Sequence, residues 1–195
     1  YAMTSVLTTG GIRGAKKAVG KFQPRSFNMG ISKKAFLATG GYGNIHPGED
    51  PDLTIRIWEK GFRTKLIPEA FVYHKFYIQV NKFGMVRPIL NKWHPGTAKI
   101  TYWFPTLFCL GLLVSLVFAI MGSTLLLLVY ILYFAILFVD SLIKNRDLEI
   151  AILSLVAVAI QFYGYGKGFV EATLKINATQ KDAEEIFPNL FFKTN

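Results

Sequence analysis

The residues best suited to chemistry lie in Gly48-Glu49-Asp50-Pro51-Asp52, where three carboxylates occur within four positions beside a glycine and a proline. A carboxylate within hydrogen-bond reach of a hydroxyl can take its proton as the oxygen attacks an electrophile. Asp50 is the candidate base. Its position before Pro51 also suits a helix N-cap, with Pro51 as the first helical residue and Asp52 favoured by the positive end of the dipole. Arg56 stands four residues after Asp52, the spacing of an ordinary helical ion pair. A lone Glu-Asp pair carries little information without the residues that surround it.

Upstream, Ser32 is placed to cap a short helix over 33–39 that Gly40 ends, and Gly40-Gly41-Tyr42-Gly43 is turn chemistry. Leu53 and Ile57 fall on one face of the helix after Asp50, and Gly61 is placed to close it. Thr64–Ile67 and Ala70–Tyr73 read as strands around Pro68-Glu69, which makes the pattern α/β. Residues 1–25 read as a Gly- and Lys-rich connection. Gly10-Gly11-x-x-Gly14 within it is a weak phosphate-loop pattern.

Charge is divided unevenly. Residues 1–99 hold 16 Lys/Arg against 5 Asp/Glu, whereas residues 100–139 hold no charged side chain. A helix of that length would be about 60 Å long, twice the hydrocarbon thickness of about 30 Å. Two spans are therefore expected, at about 101–121 and 124–143, with Met121-Gly122-Ser123-Thr124 as the turn. Ile150–Gly166 is uncharged over 17 residues, the lower limit for a third span, expected at about 149–168 with a tail over 171–195. From Lys75 to Trp93 the apolar residues Phe76, Val80, Phe83, Leu90 and Trp93 alternate with basic ones, and Gly84 and Pro88 would bend a helix. This predicts a basic amphipathic segment over 75–99 lying in the membrane interface, or packed on the soluble part.

The basic residues before the first span, together with Lys144 and Arg146, mark those loops as cytoplasmic. The net charge of +10 is thus assigned to lipid headgroups and not to nucleic acid. The spans lack the ionisable residues that mark a transport path. The one cysteine, Cys109, excludes an intrachain disulfide and is expected to pack within the first span. Gly164, Gly166 and Gly168 offer small residues for close helix approach.

The ordered series Ser26-Phe27-Asn28-Met29-Gly30-Ile31-Ser32, Gly40-Gly41-Tyr42, Gly48-Glu49-Asp50-Pro51-Asp52-Leu53-x-x-Arg56 and Tyr73-His74 resembles the C-terminal half of the GT-A fold of family 2 glycosyltransferases, membrane-bound bacterial branch. The resemblance implies a partial, Rossmann-like α/β domain over 1–74, followed by the interfacial segment and a membrane region of two to three spans. It implies inverting transfer of a sugar from a nucleotide-sugar donor to a lipid-linked or cell-surface glycan acceptor, at the cytoplasmic face of a bacterial plasma membrane. Asp50 would be the base, Glu49 and Phe83 would bind acceptor, and Asn28, Gly30 and Lys82 would bind the donor diphosphate. His74 would help to hold a divalent metal, Mg²⁺ or Mn²⁺.

Two features depart from the pattern. No Asp precedes Asp50, so the Asp-x-Asp segment and the nucleotide-binding βα units of the family are not in these residues. The chain is therefore expected to be the acceptor-side piece of a longer enzyme and inactive alone. Polymerising members carry Gln-x-x-Arg-Trp where this chain has Gln79-Val80-Asn81-Lys82-Phe83, which favours transfer of single sugars. The rival reading is a non-catalytic membrane protein or partner subunit that binds anionic lipid.

Overall fold

The computed structural model describes residues 5–8, 19–20, 22–24, 29–65 and 80–192. Helices dominate. Helix α1 (Lys33–Thr39) begins where Ser32 Oγ accepts from the Ala35 amide at 3.2 Å and ends at Gly40, whose φ of 75° lets the amide turn back onto the last carbonyls. Helix α2 (Glu49–Glu59) closes at Gly61, φ 80°, as its spacing predicted. Its start differs from expectation. Gly48 holds the N-cap at φ 128°, so the helix begins at Glu49 and Asp50 lies inside the first turn. A glycine that takes a backbone angle closed to other residues starts the helix before Pro51 can.

The strand pairing described is short. Val19–Gly20 (β1) pairs antiparallel with Thr64–Lys65 (β2), and an isolated bridge joins Ile45 to Phe191. An α/β layer is not seen among the described residues. The rest of the two expected strands, Leu66-Ile67 and Ala70–Tyr73, lies outside them, as do the glycines 10–14.

Helix α3 (Val80–Trp93) precedes a 3-10 turn (Ile100–Trp103) and three long helices: α4 (Phe104–Ile120), α5 (Leu125–Asn145) and α6 (Leu148–Ala178). Among the described residues three helical stretches are long and apolar enough to cross a membrane: Ile100–Ile120, Leu125–Asn145 and Leu148–Ala178. Met121–Thr124 makes the predicted turn, helped by Gly122 at φ 95°. Large apolar side chains such as Leu107, Val117, Ile131, Leu132, Ile152 and Val156 point outward, a surface that suits lipid and not water. Within this region Leu137, Val158 and Phe162 form a buried cluster, with Cys109 packed against it as expected. Ser141 and Ser154 hydrogen-bond across α5 and α6 at 2.9 Å.

The third helix is longer than the expected span. It runs 31 residues, about 46 Å at 1.5 Å per residue, and takes in 171–178 of the predicted tail. Lys167, Glu171 and Lys175 end the apolar stretch but not the helix, because they are good helix formers; Glu171 and Lys175 pair at 2.8 Å.

α3 lies against α6 from Gly164 to Phe169, where the apolar stretch ends. A Cβ on Gly84 would collide with the Tyr165 carbonyl, and one on Gly168 with the Asn81 carbonyl. Gly166 faces α4 instead, with Thr106 N 3.0 Å from where its Cβ would sit. The small residues at 84, 164, 166 and 168 thus allow backbone-to-backbone packing on two sides of α6. The apolar side of α3 is covered by protein: Val86, Ile89 and Leu90 join Ile45, Ala172, Ala183, Phe187 and Leu190 in one buried core. The last four come from α6 and from the tail, which forms a short helix α7 (Ala183–Ile186) and a 3-10 turn.

Candidate functional site

The site is assembled by short local devices. Gly40 and Gly41 both take positive φ, 75° and 77°, and fold the chain back over α1. Phe36 closes under Gly41, where a Cβ would come within 2.9 Å of its ring, and Tyr42 meets the same ring edge-on at 6.0 Å. The turn thereby fixes Tyr42 with its phenol half-exposed. Ile45, fully buried, anchors the next loop in the core. Gly48 follows, pressed against Val86 of α3 so closely that no side chain fits there.

Three carboxylates then occupy the first turn of α2, where the helix dipole favours negative charge. Glu49 Oε2 accepts from the Gly48 amide at 2.9 Å and lies 3.1 Å from His46 Nδ1. Asp50 is 6 % exposed, nearly closed off from bulk water. The Tyr42 hydroxyl titrates above the ordinary phenol range, first because of burial, then because the charges of Asp50 and Glu49 oppose a phenolate. Tyr42 thus lies close enough to the start of α2 to feel both carboxylate charges.

Asp52 faces the other way. Its Oδ2 accepts from Arg56 Nη2 at 2.6 Å and Nε at 3.0 Å, and its Oδ1 lies 3.0 Å from His94 Nε2. Arg56 also donates to the Thr39 carbonyl at 2.6 Å, and His94 Nδ1 lies 3.1 Å from Glu59 Oε1. The predicted Asp52–Arg56 pair is present, but it belongs to a network that joins the end of α1, both ends of α2 and the end of α3. His94 thus bridges Asp52 and Glu59 through its two ring nitrogens.

Of the candidates read from sequence, Glu49 and Asp50 come together with Tyr42. Lys82 and Phe83 are half-buried in the first turn of α3, four and three residues before the Val86 that touches Gly48, hence on the same side of that helix. Gly30 is exposed, with open space where a Cβ would go. Asn28 and His74 lie outside the described residues. His46 and His94 were not anticipated. Each is a lone histidine, and His94 meets Asp52 across 42 residues of chain, which no local spacing signals.

No family model, curated protein or solved structure matches the chain.

Proposed function

We propose that this chain supplies the acceptor-activating part of a membrane-embedded inverting glycosyltransferase of family 2. It would move a sugar from a nucleotide-sugar donor to a lipid-linked or cell-surface glycan acceptor. The observation that carries the reading is the convergence of Tyr42, Glu49 and Asp50 at one helix start, from two motifs that the resemblance names separately.

The chemistry follows from those groups. The Asp50 carboxylate takes the proton of an acceptor hydroxyl as its oxygen attacks the anomeric carbon. The bond from that carbon to the diphosphate breaks on the opposite face, the diphosphate leaves with the electron pair, and the configuration inverts. Glu49, held by the Gly48 amide and His46, presents a fixed acceptor for a neighbouring sugar hydroxyl. Tyr42 stays protonated and donates to the acceptor. Phe83 offers an aromatic face and Lys82 a cation for the donor phosphates, both on the side of α3 whose Val86 meets Gly48.

Other parts of the reading rest on the sequence pattern. The GT-A layer would be completed by residues other than those described here. A site facing the cytoplasm is favoured by the basic residues before the first span, and a bacterial plasma membrane by the family resemblance. The divalent ion implied by the family has its expected ligand at His74, outside the described residues. Among the described residues no three ligating side chains come together.

The test is sugar incorporation by membranes that contain the intact protein, supplied with a panel of labelled nucleotide sugars. The expected product is a glycosylated lipid or glycan whose new linkage is inverted relative to the donor. Incorporation no greater than in membranes lacking the protein, across the panel, contradicts the reading.

A further inference from the structure

The apolar region departs from the water-facing core and comes back to it. At its entrance, Arg87 of α3 lies 4.6 Å over the Tyr102 ring, and Trp103 meets Phe169 edge-on at 4.9 Å. At its exit, Ala172 of α6 is buried in the core that also holds Ile45, Val86, Ile89 and Leu90. The tail then packs on the loop leading into the Gly48 turn. The His46 amide donates to the Leu190 carbonyl at 2.7 Å, the Phe192 amide donates to the Asn44 carbonyl at 3.1 Å, and Phe192 stacks on the His46 ring at 5.4 Å.

A closed bilayer divides space in two. A chain that starts and finishes on one side crosses an even number of times, whatever the number of its apolar helices. Three complete crossings would place Phe192 and Asn44 on opposite sides of about 30 Å of hydrocarbon. Hydrogen bonds of 2.7 and 3.1 Å between the tail and the loop do not allow that. The length of α6 agrees: its last turns carry Lys167, Glu171 and Lys175, and Ala172 among them is buried with Val86, Ile89 and Leu90 of α3, so they belong to the aqueous side.

We infer that residues 100–178 cross the bilayer twice, although three helices are long enough to cross. The remaining helix stays against one leaflet, and the tail shares its aqueous side with the Gly48–Asp50 turn. The lipid-facing surface of α4, α5 and α6 is thereby unequal, with one helix wetted by a single leaflet. This inference does not depend on the glycosyltransferase reading.

Side-specific labelling tests it. Single cysteines are introduced in a Cys109→Ser background at four exposed positions: Lys34→Cys on α1, Ser123→Cys in the α4–α5 turn, Glu149→Cys after the α5–α6 turn, and Gln180→Cys in the tail. A membrane-impermeant maleimide is applied to sealed and to opened vesicles. Lys34→Cys and Gln180→Cys are expected to label from the same side, and at least one of the other two from the opposite side. Labelling of Gln180→Cys from the side opposite to Lys34→Cys overturns the inference, as does labelling of all four from one side. To confirm the fold within the membrane, the Asn44→Cys/Phe192→Cys pair should cross-link on mild oxidation in intact vesicles. Failure of that cross-link in protein that retains the same-side pattern also counts against it, because the tail contact is what enforces the parity.

Discussion

Asp52 is where α1, α2 and α3 are tied together, and its replacement has a calculable cost. It is 5 % exposed and accepts three hydrogen bonds, from Arg56 Nη2 at 2.6 Å, Arg56 Nε at 3.0 Å and His94 Nε2 at 3.0 Å. Hydrogen bonds to charged groups contribute about 1.5–3 kcal/mol each, but desolvation of the buried carboxylate offsets much of the sum. The Arg56 side chain is 23 % exposed and recovers some hydration when its partner is lost. Asp52→Asn, which keeps the shape and removes the charge, is therefore expected to destabilise by about 3 kcal/mol. His94→Gln, which also loses the half-exposed Glu59, is expected to cost about 2 kcal/mol. Because both changes remove the same contact, the double variant should cost less than their sum, by about 1 kcal/mol or more. Thermal unfolding in detergent, followed by the fluorescence of the tryptophans (Trp93 adjoins His94), reads all four states of the cycle. Additivity within about 0.3 kcal/mol would refute the network, as would either single variant within about 0.5 kcal/mol of wild type.

Three further outcomes follow. Gly84→Ala should destabilise by about 1–3 kcal/mol, because its Cβ collides with the Tyr165 carbonyl, while Gly30→Ala, with open space around it, should change little; unfolding midpoints check both. The Tyr42 phenol, identified by difference titration against Tyr42→Phe, should ionise above the usual value of about 10. A folded-state value raised in this way contributes stability that is present below the unfolded value and is lost as pH rises through the folded one, so Tyr42→Phe should narrow the alkaline loss. Asp50→Asn should move the Tyr42 midpoint down without restoring the ordinary value, since burial remains the larger cause.

What the sequence made legible was local. Ser32 and Gly40 bracket α1, Gly61 closes α2, and Met121–Thr124 breaks the apolar run, because each acts on backbone within a few residues. The glycines of α6 could be read as packing residues, although their partners, Gly84 with Asn81 on α3 and Thr106 on α4, could not. The start of α2 was misplaced because Pro51 is a common first helical residue, whereas Gly48 used its positive φ to begin the helix earlier. The end of α6 lies beyond the apolar stretch, because Lys167 to Lys175 continue the helix after apolar character is lost. The site divides the same way. Glu49 and Asp50 stand in a recognisable local motif. His94 reaches Asp52, and the tail reaches Ile45, through tertiary packing alone, which one sequence does not encode in any short pattern.

The central claim is that the Asp50 carboxylate removes the acceptor proton. Its most direct test compares Asp50→Asn with wild type in the sugar-incorporation assay, with protein amount and unfolding midpoint matched. Transfer is expected to fall by about 10²–10⁴-fold while the midpoint holds, since general-base catalysis contributes on that order. Transfer by Asp50→Asn within a few fold of wild type would contradict it.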